Sequence, residues 1–79
     1  MSEYQALPAI PLLTDNTTGT ANNTLEAIPN PADAPATADA LRDDLVANAL
    51  PAIRNDLADL AAKLNTVIRA LRSVEIVEQ

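Results

Sequence analysis

The stretch that decides the fold is residues 46–74, which read VANALPAIRNDLADLAAKLNTVIRALRSV. Its large apolar residues are alternately four and three positions apart, as Val46, Leu50, Ile53, Leu57, Leu60, Leu64, Val67, Leu71 and Val74. This spacing is a heptad repeat. A seam with a period of 3.5 residues stays against a partner only if the helices supercoil in a left-handed sense. A chain of 79 residues has no second helix long enough to cover the seam, so the sequence predicts self-association.

The identity of the seam residues favours more than two strands. Heptad position a holds Leu50, Leu57, Leu64 and Leu71, and position d holds Ile53, Leu60, Val67 and Val74. Leucine at a with mostly β-branched residues at d favours three or four strands. The flanking e positions include Ala61 and Ile68, so the apolar stripe is wider than a dimer requires. We predict that the eight a and d residues form the oligomer interface.

The amino-acid composition excludes most kinds of catalytic and ligand-binding site. The chain has no cysteine and no histidine, a single glycine and a formal net charge of −6. Disulfides, thiolate or imidazole metal sites, phosphate-binding loops and an activated nucleophile cannot be built from these residues. The acidic balance disfavours nucleic acid and anionic membranes, no apolar run approaches the about 20 residues that span a bilayer, and the N-terminus lacks the basic region of a signal peptide. We predict a protein made in the cytoplasm that is not an enzyme, has no cofactor or metal, and binds neither nucleic acid nor membrane.

Three regions follow along the chain. Residues 1–36 hold five of the six prolines, four acids and no base, which predicts an extended, acidic anchoring arm rich in Pro, Thr and Asn. Residues 37–48 are predicted to form a short helix, with Thr37 as its cap and Asp39 in its first turn. Residues 49–79 are predicted to form a long helix and tail. The predicted fold class is all-α, with the long helices associating in an oligomeric coiled coil.

Pro51 determines how the two predicted helices are joined. A proline inside a helix costs about 3 kcal/mol or more unless it lies in the first turn. Asn48 could cap a new helix three residues before Pro51, so we predict a break there. The alternative is one continuous helix that is kinked at the proline. Extending the heptad upstream puts Asp43 and Asp39 at core positions, so the coiled coil should not extend upstream of Val46.

The first 13 residues combine prolines with a cluster of apolar side chains. Because Pro8 and Pro11 keep this segment extended, its apolar residues cannot cover one another. An extended apolar segment commonly lies in a groove of a neighbour, so we predict that it docks to another protein or to a sister subunit. The alternative is that it folds back on the chain's own helices. The predicted docking residues are Tyr4, Leu7, Ile10, Leu12 and Leu13.

The remaining polar residues are interpreted as turns and solvated surface. Residues 14–24 are dense in residues that form turns, and Gly19 is the predicted site of a positive φ angle. The neighbouring acids Asp43 and Asp44 are interpreted as part of a solvated helix face. Asp59 and Lys63 are predicted to form an exposed pair four residues apart, worth roughly a few tenths of a kcal/mol.

Two segments of the chain resemble a known family. They are residues 18–28, which read TGTANNTLEAI, and residues 59–65, which read DLAAKLN and are followed by Ile68, Ala70 and Leu71. Both resemble small head-fibre or decoration proteins of tailed bacteriophages, which combine a Gly-Thr-Ala-x-x-Thr-Leu segment with a C-terminal helix of the Leu-Ala-Ala-Lys-x-Asn type. The chain departs from the family pattern at Thr18, where a second glycine is expected, and at residues 73–79, where small residues and glycine are expected.

The resemblance implies a viral structural protein located on the capsid surface of the virion. It implies a parallel homotrimer that binds the major capsid protein or another virion structural protein, as a head fibre or a capsid decoration (cement) protein. A hypothesis from another class is a small cytoplasmic coiled-coil adaptor or antitoxin-like regulator, whose coil dimerises and whose arm folds onto a protein partner. A trimer recovered with particles favours the first hypothesis, and a soluble complex favours the second.

Overall fold

The computed structural model describes residues 7–75 as one long helix with an extended arm beside it. Helix α1 spans Ala38–Asp44, a π-helical turn spans Leu45–Ala49, and helix α2 spans Leu50–Ser73. The predicted all-α class is confirmed over these residues. The radius of gyration is 19.0 Å and the principal extents are 70 × 18 × 18 Å, whereas a compact domain of this length has a radius of about 12 Å. The chain is therefore a rod.

The helix begins at the residue that the sequence predicts. Thr37 has an extended backbone, with φ −143° and ψ 164°, and its Oγ1 accepts a hydrogen bond from the Ala40 N–H at 3.0 Å. Asp39 lies in the first turn, where a carboxylate is stabilised by the positive end of the helix dipole. The predicted cap and the predicted first turn are both confirmed.

The predicted break before Pro51 is wrong, and the alternative of a continuous helix is correct. The backbone stays helical across this region, and Asn48 lies inside the π turn instead of capping a new helix. At the end of that turn the Leu50 N–H donates to the carbonyl of Leu45, five residues earlier. A proline ring clashes with the carbonyl four residues before it in an α-helix, and the wider π turn relieves this clash. Pro51 is the second residue of α2 and closely follows this turn.

The arm runs along the helix in the opposite direction. Its contacts with the helix pair Ile10 with Arg72, Leu13 with Asn65, Thr20 with Asn55, Glu26 with Asp56 and Ala32 with Asp44. From Ile10 to Ala32 the helix partner falls from Arg72 to Asp44, so the two segments are antiparallel overall. Between Thr20 and Glu26 the arm doubles back locally, because Thr20 binds Asn55 and the following Asn22 and Asn23 bind Asp59. At about 1.5 Å per residue the paired helix is roughly 40 Å long. Within a single chain, the alternative in which the arm folds back on its own helix therefore holds for the backbone of residues 10–32.

The described residues bury almost no large side chain. The buried ones are Ala49, Ala52, Ala58, Asp59 and Ile68. The accessible surface is 6047 Å², against about 4,600 Å² for a compact protein of 8.3 kDa. A single chain thus leaves a large apolar area in water.

Gly19 is needed for close approach, and the prediction of a positive φ there is wrong. Within the arm, left-handed backbone occurs at Thr18, with φ 62°, and at Asn23, with φ 61°. A Cβ added to Gly19 would overlap the carbonyl group of Arg54 and lie 2.6 Å from the backbone N of Asn55. Glycine is therefore required because the arm crosses directly over the helix backbone. Thr18, where the family pattern expects glycine, has the left-handed backbone that glycine favours.

Substitutions at these two adjacent positions should act in opposite directions. Gly19→Ala should lower the free energy of unfolding by about 1–3 kcal/mol, because the added methyl forces the arm off the helix. Thr18→Gly should raise it by about 0.5–1 kcal/mol, because a β-branched residue is strained at positive φ, and the greater freedom of unfolded glycine offsets part of the gain. Urea unfolding at one fixed protein concentration measures both changes. Two effects of the same sign would contradict this crossing geometry.

Candidate interaction surface

An apolar stripe runs along the helix without a partner in the described part of the chain. Its exposed members are Val46, Ile53, Leu57, Leu60, Leu64, Val67 and Val74, while Leu50 and Leu71 are half-buried. Exposure reaches 61% at Val74 and is 54% at Leu60, in the middle of the stripe. Single exposed apolar residues are ordinary, but a continuous row marks an interaction site. The predicted interface residues thus share one surface, and their role in oligomerisation stays a prediction.

The stripe is narrower than the heptad pattern suggested. Ile68 is 4% exposed and lies between Asn65 and Arg72, the two helix residues that bind the first part of the arm. The prediction that Ile68 widens the exposed stripe is therefore wrong, because this side chain is already buried within one chain. Ala61, at the preceding e position, is half-buried.

Polar side chains on another face of the helix bind the backbone of the arm. Asn65 Oδ1 accepts the Leu13 N–H at 2.8 Å, and Asn65 Nδ2 donates to the Leu13 carbonyl at 2.9 Å. Asn55 Oδ1 accepts the Thr20 N–H at 2.7 Å, and Asn55 Nδ2 donates to Glu26 Oε2 at 3.0 Å. An extended segment must satisfy its backbone groups, and here side-chain amides do what a neighbouring strand would do in a sheet.

Asp59 is the one buried charged residue among residues 7–75. It is 7% exposed, and its Oδ1 accepts the N–H groups of Asn22 at 2.7 Å and Asn23 at 2.6 Å. Two successive N–H groups that converge on one oxygen form a small anion-binding nest, and the negative charge strengthens both bonds. The prediction of an exposed Asp59–Lys63 pair is wrong, since no ion pair joins these two described residues and the carboxylate binds the arm.

Carboxylates also hold the arm towards the start of the helix. Asp56 Oδ1 accepts the Glu26 N–H at 2.7 Å. Asp44 Oδ2 accepts the Ala32 N–H at 3.1 Å, and Asp44 Oδ1 accepts from Asn48 Nδ2 at 2.9 Å. The interpretation of Asp44 as part of a solvated face is therefore wrong, because this side chain is half-buried and binds the backbone of the arm.

The sequence contains a pattern that identifies the arm-binding face of the helix, although none of the sequence-based predictions used this pattern. The alanines Ala49, Ala52 and Ala58 are buried, and Asn55 and Asp59 follow at helical spacing on the same side. Small residues let another backbone approach a helix closely, and amide or carboxylate groups provide the hydrogen bonds that such a backbone needs. Alanines interleaved with Asn and Asp can therefore predict a docked extended segment.

The predicted docking residues of the arm have mixed exposure. Leu7 and Leu13 are each 52% exposed and Ile10 is 39% exposed, whereas Leu12 is half-buried. Tyr4 lies outside the described residues. Although the backbone at Ile10 and Leu13 is bound to the chain's own helix, these side chains remain accessible. Their docking to another protein stays a prediction.

Asp15 organises the turn before the arm crosses the helix. Its Oδ1 accepts from the Thr17 hydroxyl at 2.6 Å and from the Thr17 N–H at 2.8 Å, and the Thr17 hydroxyl accepts the Gly19 N–H at 3.1 Å. The hydroxyl bond, followed by the backbone bond, lowers the pKa of Asp15 below its ordinary value. Asp15 is therefore an exposed negative charge at neutral pH, close to Leu57 and Leu60 of the stripe.

The arm lines a cleft on each side of Leu60. One cleft, of about 280 Å³, lies between arm residues 13–17 and the stripe next to Ala61. The other, of about 200 Å³, lies between arm residues 23–25 and the stripe next to Asp59. Because successive helix residues are about 100° apart, Asp59 and Ala61 are on opposite sides of Leu60. The arm thus borders the stripe on both flanks.

These features define an elongated helical protein whose main surface feature is an apolar stripe bordered by its own arm. Among residues 7–75, no group of three or more acidic side chains is placed to hold a metal ion. No helix in that range is both long enough and apolar enough to cross a bilayer. No family model, curated protein or solved structure matches the chain. Its function is therefore inferred from this surface.

Removal of the buried carboxylate should release the arm. Asp59→Ala should lower the free energy of unfolding by about 2 kcal/mol, because two arm N–H groups lose a charged acceptor. Asp43→Ala is the matched control, since Asp43 is exposed and its pairing with Arg42 at 3.5 Å is worth at most about 1 kcal/mol. Urea unfolding measures both changes. Amide hydrogen exchange at Asn22 and Asn23 should accelerate only in Asp59→Ala, and equal acceleration in both variants would contradict this role of Asp59.

Proposed function

We propose that the chain is a virion structural protein of a tailed bacteriophage, a head fibre or decoration protein that sits on the capsid as a parallel homotrimer. The observation that carries the proposal is the apolar stripe, which no part of residues 7–75 covers although the arm already covers another face of the helix. This arrangement supports a role in assembly. The likeness of residues 18–28 and 59–65 to phage head-fibre and decoration proteins supports the virion as the place of assembly.

The energy of the stripe supports association. Full burial of a leucine, isoleucine or valine contributes about 1.5–3 kcal/mol, so burial of a half-exposed one contributes about 1 kcal/mol. The eight a and d residues then contribute on the order of 8 kcal/mol per chain before the entropic cost of association. Leucine at a with β-branched residues at most d positions favours three copies over two. The proposed trimer buries the surface that the single chain leaves in water.

The route of the arm supports attachment at one end of the rod. Ile10 is bound to Arg72, close to the end of α2, and Leu13 is bound to Asn65. In a parallel trimer the three apolar segments that begin the arms are therefore close to the same end. Three weak anchors on one particle act with a high effective concentration, so modest contacts from residues such as Leu7 suffice for stable binding. A capsid site with three-fold symmetry suits such a ligand.

The proposed trimer is tested by mass. Light scattering over a concentration series should give three times the chain mass of 8.3 kDa. The double variant Leu57→Asn with Leu64→Asn should be monomeric, because it places amides at two core positions of every helix. The control is Ile28→Asn, which alters a residue that is 51% exposed but lies on the arm. A wild-type dimer would favour the adaptor hypothesis, and a dimer or a monomer would overturn the proposed trimer.

Attachment to the particle is tested separately. The double variant Leu7→Ser with Ile10→Ser should lose co-sedimentation with purified phage particles, because it removes two exposed apolar anchors, while its mass by light scattering stays trimeric. Ile28→Ser is the control for loss of an exposed apolar residue elsewhere on the arm, and it should still bind. Deletion of residues 1–13 should also abolish binding, while the stripe still holds the oligomer together. Unchanged binding after this deletion would refute the arm as the anchor.

A further inference from the structure

The two flanks of the stripe differ in chemistry. On one flank, arm residues 13–17 leave Leu13 52% exposed and Asp15 on the surface. On the other flank, arm residues 23–25 leave Leu25 61% exposed beside the exposed Lys63. Asp59 also lines the second cleft, but it is buried. Each flank therefore presents a leucine and one exposed charge, and these exposed charges have opposite signs. We name them the acidic flank and the basic flank.

The two flanks lie at the same height on the rod. Leu60 lines the cleft of the acidic flank and also the cleft of the basic flank. In a parallel, in-register coiled coil, the e positions of one helix face the g positions of the next, and here Ala61 is at e and Lys63 is at g. Packed helices are only about 8–10 Å apart, so arm segments on these flanks must touch the neighbouring copy.

From this geometry we infer that each flank is occupied by the opposite flank of a second copy of this chain. Leu25 of one copy packs into the cleft of the next copy, between its Leu13 and its Leu64. Lys63 of the first copy then faces Asp15 of the second. The inference rests on the proposed self-association of the stripe and adds the arm to the interface. Each contact joins unlike flanks, and around the axis of the proposed trimer three such contacts close into a ring.

Charge favours unlike flanks over like flanks. In an antiparallel pair the e positions face each other and the g positions face each other. When such a pair is centred at Leu60, it brings Asp15 towards a second Asp15 and Lys63 towards a second Lys63. Like charges at close range repel, whereas the parallel arrangement brings opposite charges together. Within the described residues Lys63 has no ion pair in its own chain, so it is available for this contact.

The absence of cysteine makes a cross-linking test direct. In the double variant Leu13→Cys with Leu25→Cys, mild oxidation should give a covalent trimer on a non-reducing gel, because every acidic flank meets a basic flank. Each single variant should stay monomeric on the gel, because equivalent positions do not meet. An equimolar mixture of the two single variants, refolded together, should give a covalent dimer. Light scattering of each sample under reducing conditions gives its non-covalent mass.

The outcomes separate this inference from the proposed trimer. Efficient self-cross-linking of either single variant would overturn the inference, since it requires like flanks to meet. A trimeric mass without cross-links in the double variant would also overturn it and leave the trimer standing, whereas a monomeric mass would overturn both. A covalent ladder that stops at a dimer, with a dimeric mass, would support the pairing of unlike flanks and overturn the trimer.

A charge reversal gives a second, independent measurement. Lys63→Glu should weaken association by up to about fivefold per contact, because it places a negative charge opposite Asp15. Arg69→Glu is the matched control, with the same change of charge at an outward f position. The difference between the two variants should shrink as salt is raised, since exposed charges are screened. Equal weakening by both variants would overturn the contact between Lys63 and Asp15.

Discussion

The hydrogen bonds from polar helix side chains to the backbone of the arm are the interaction on which the rest of this structure depends. An extended, proline-containing segment cannot satisfy its own backbone groups, and a lone helix has no spare backbone groups to offer it. Asn55, Asp59 and Asn65 supply the missing partners. Through them a single helix and an arm without regular structure become one rod, with the arm held at defined positions beside the stripe.

The docked arm leaves one surface of the chain, the apolar stripe, uncovered. The arm buries small and polar residues such as Ala58 and Asp59, while most of the large apolar side chains of the stripe stay exposed. A chain of this size cannot bury enough surface alone to be more than marginally stable, so its folding and its association are expected to be coupled. The face bound to the arm is covered within one chain, whereas the exposed stripe supports the proposed association with other copies.

Features set by short-range forces were predicted more accurately than features set by distant contacts. The Thr37 cap and the helical backbone depend on neighbours within one turn, and both were predicted. The break at Asn48 was wrong because a local rule for proline omits the π turn, which absorbs the clash while the helix continues. The positive φ predicted for Gly19 was based only on the conformational freedom of glycine. The position requires glycine because the backbone of Arg54, 35 residues further along the chain, leaves no room for a Cβ.

By itself the sequence determined the heptad stripe, the start of the helix and the extended character of the arm, because periodicity, capping and proline stereochemistry act between near neighbours. Only the tertiary structure decided which helix face the arm covers, that Asp59 is buried against Asn22 rather than exposed beside Lys63, and that Ile68 is lost from the stripe. The physical reason is the separation along the chain. Asp59 and Asn22 are 37 residues apart, and their hydrogen bond depends on the whole path of the arm between them.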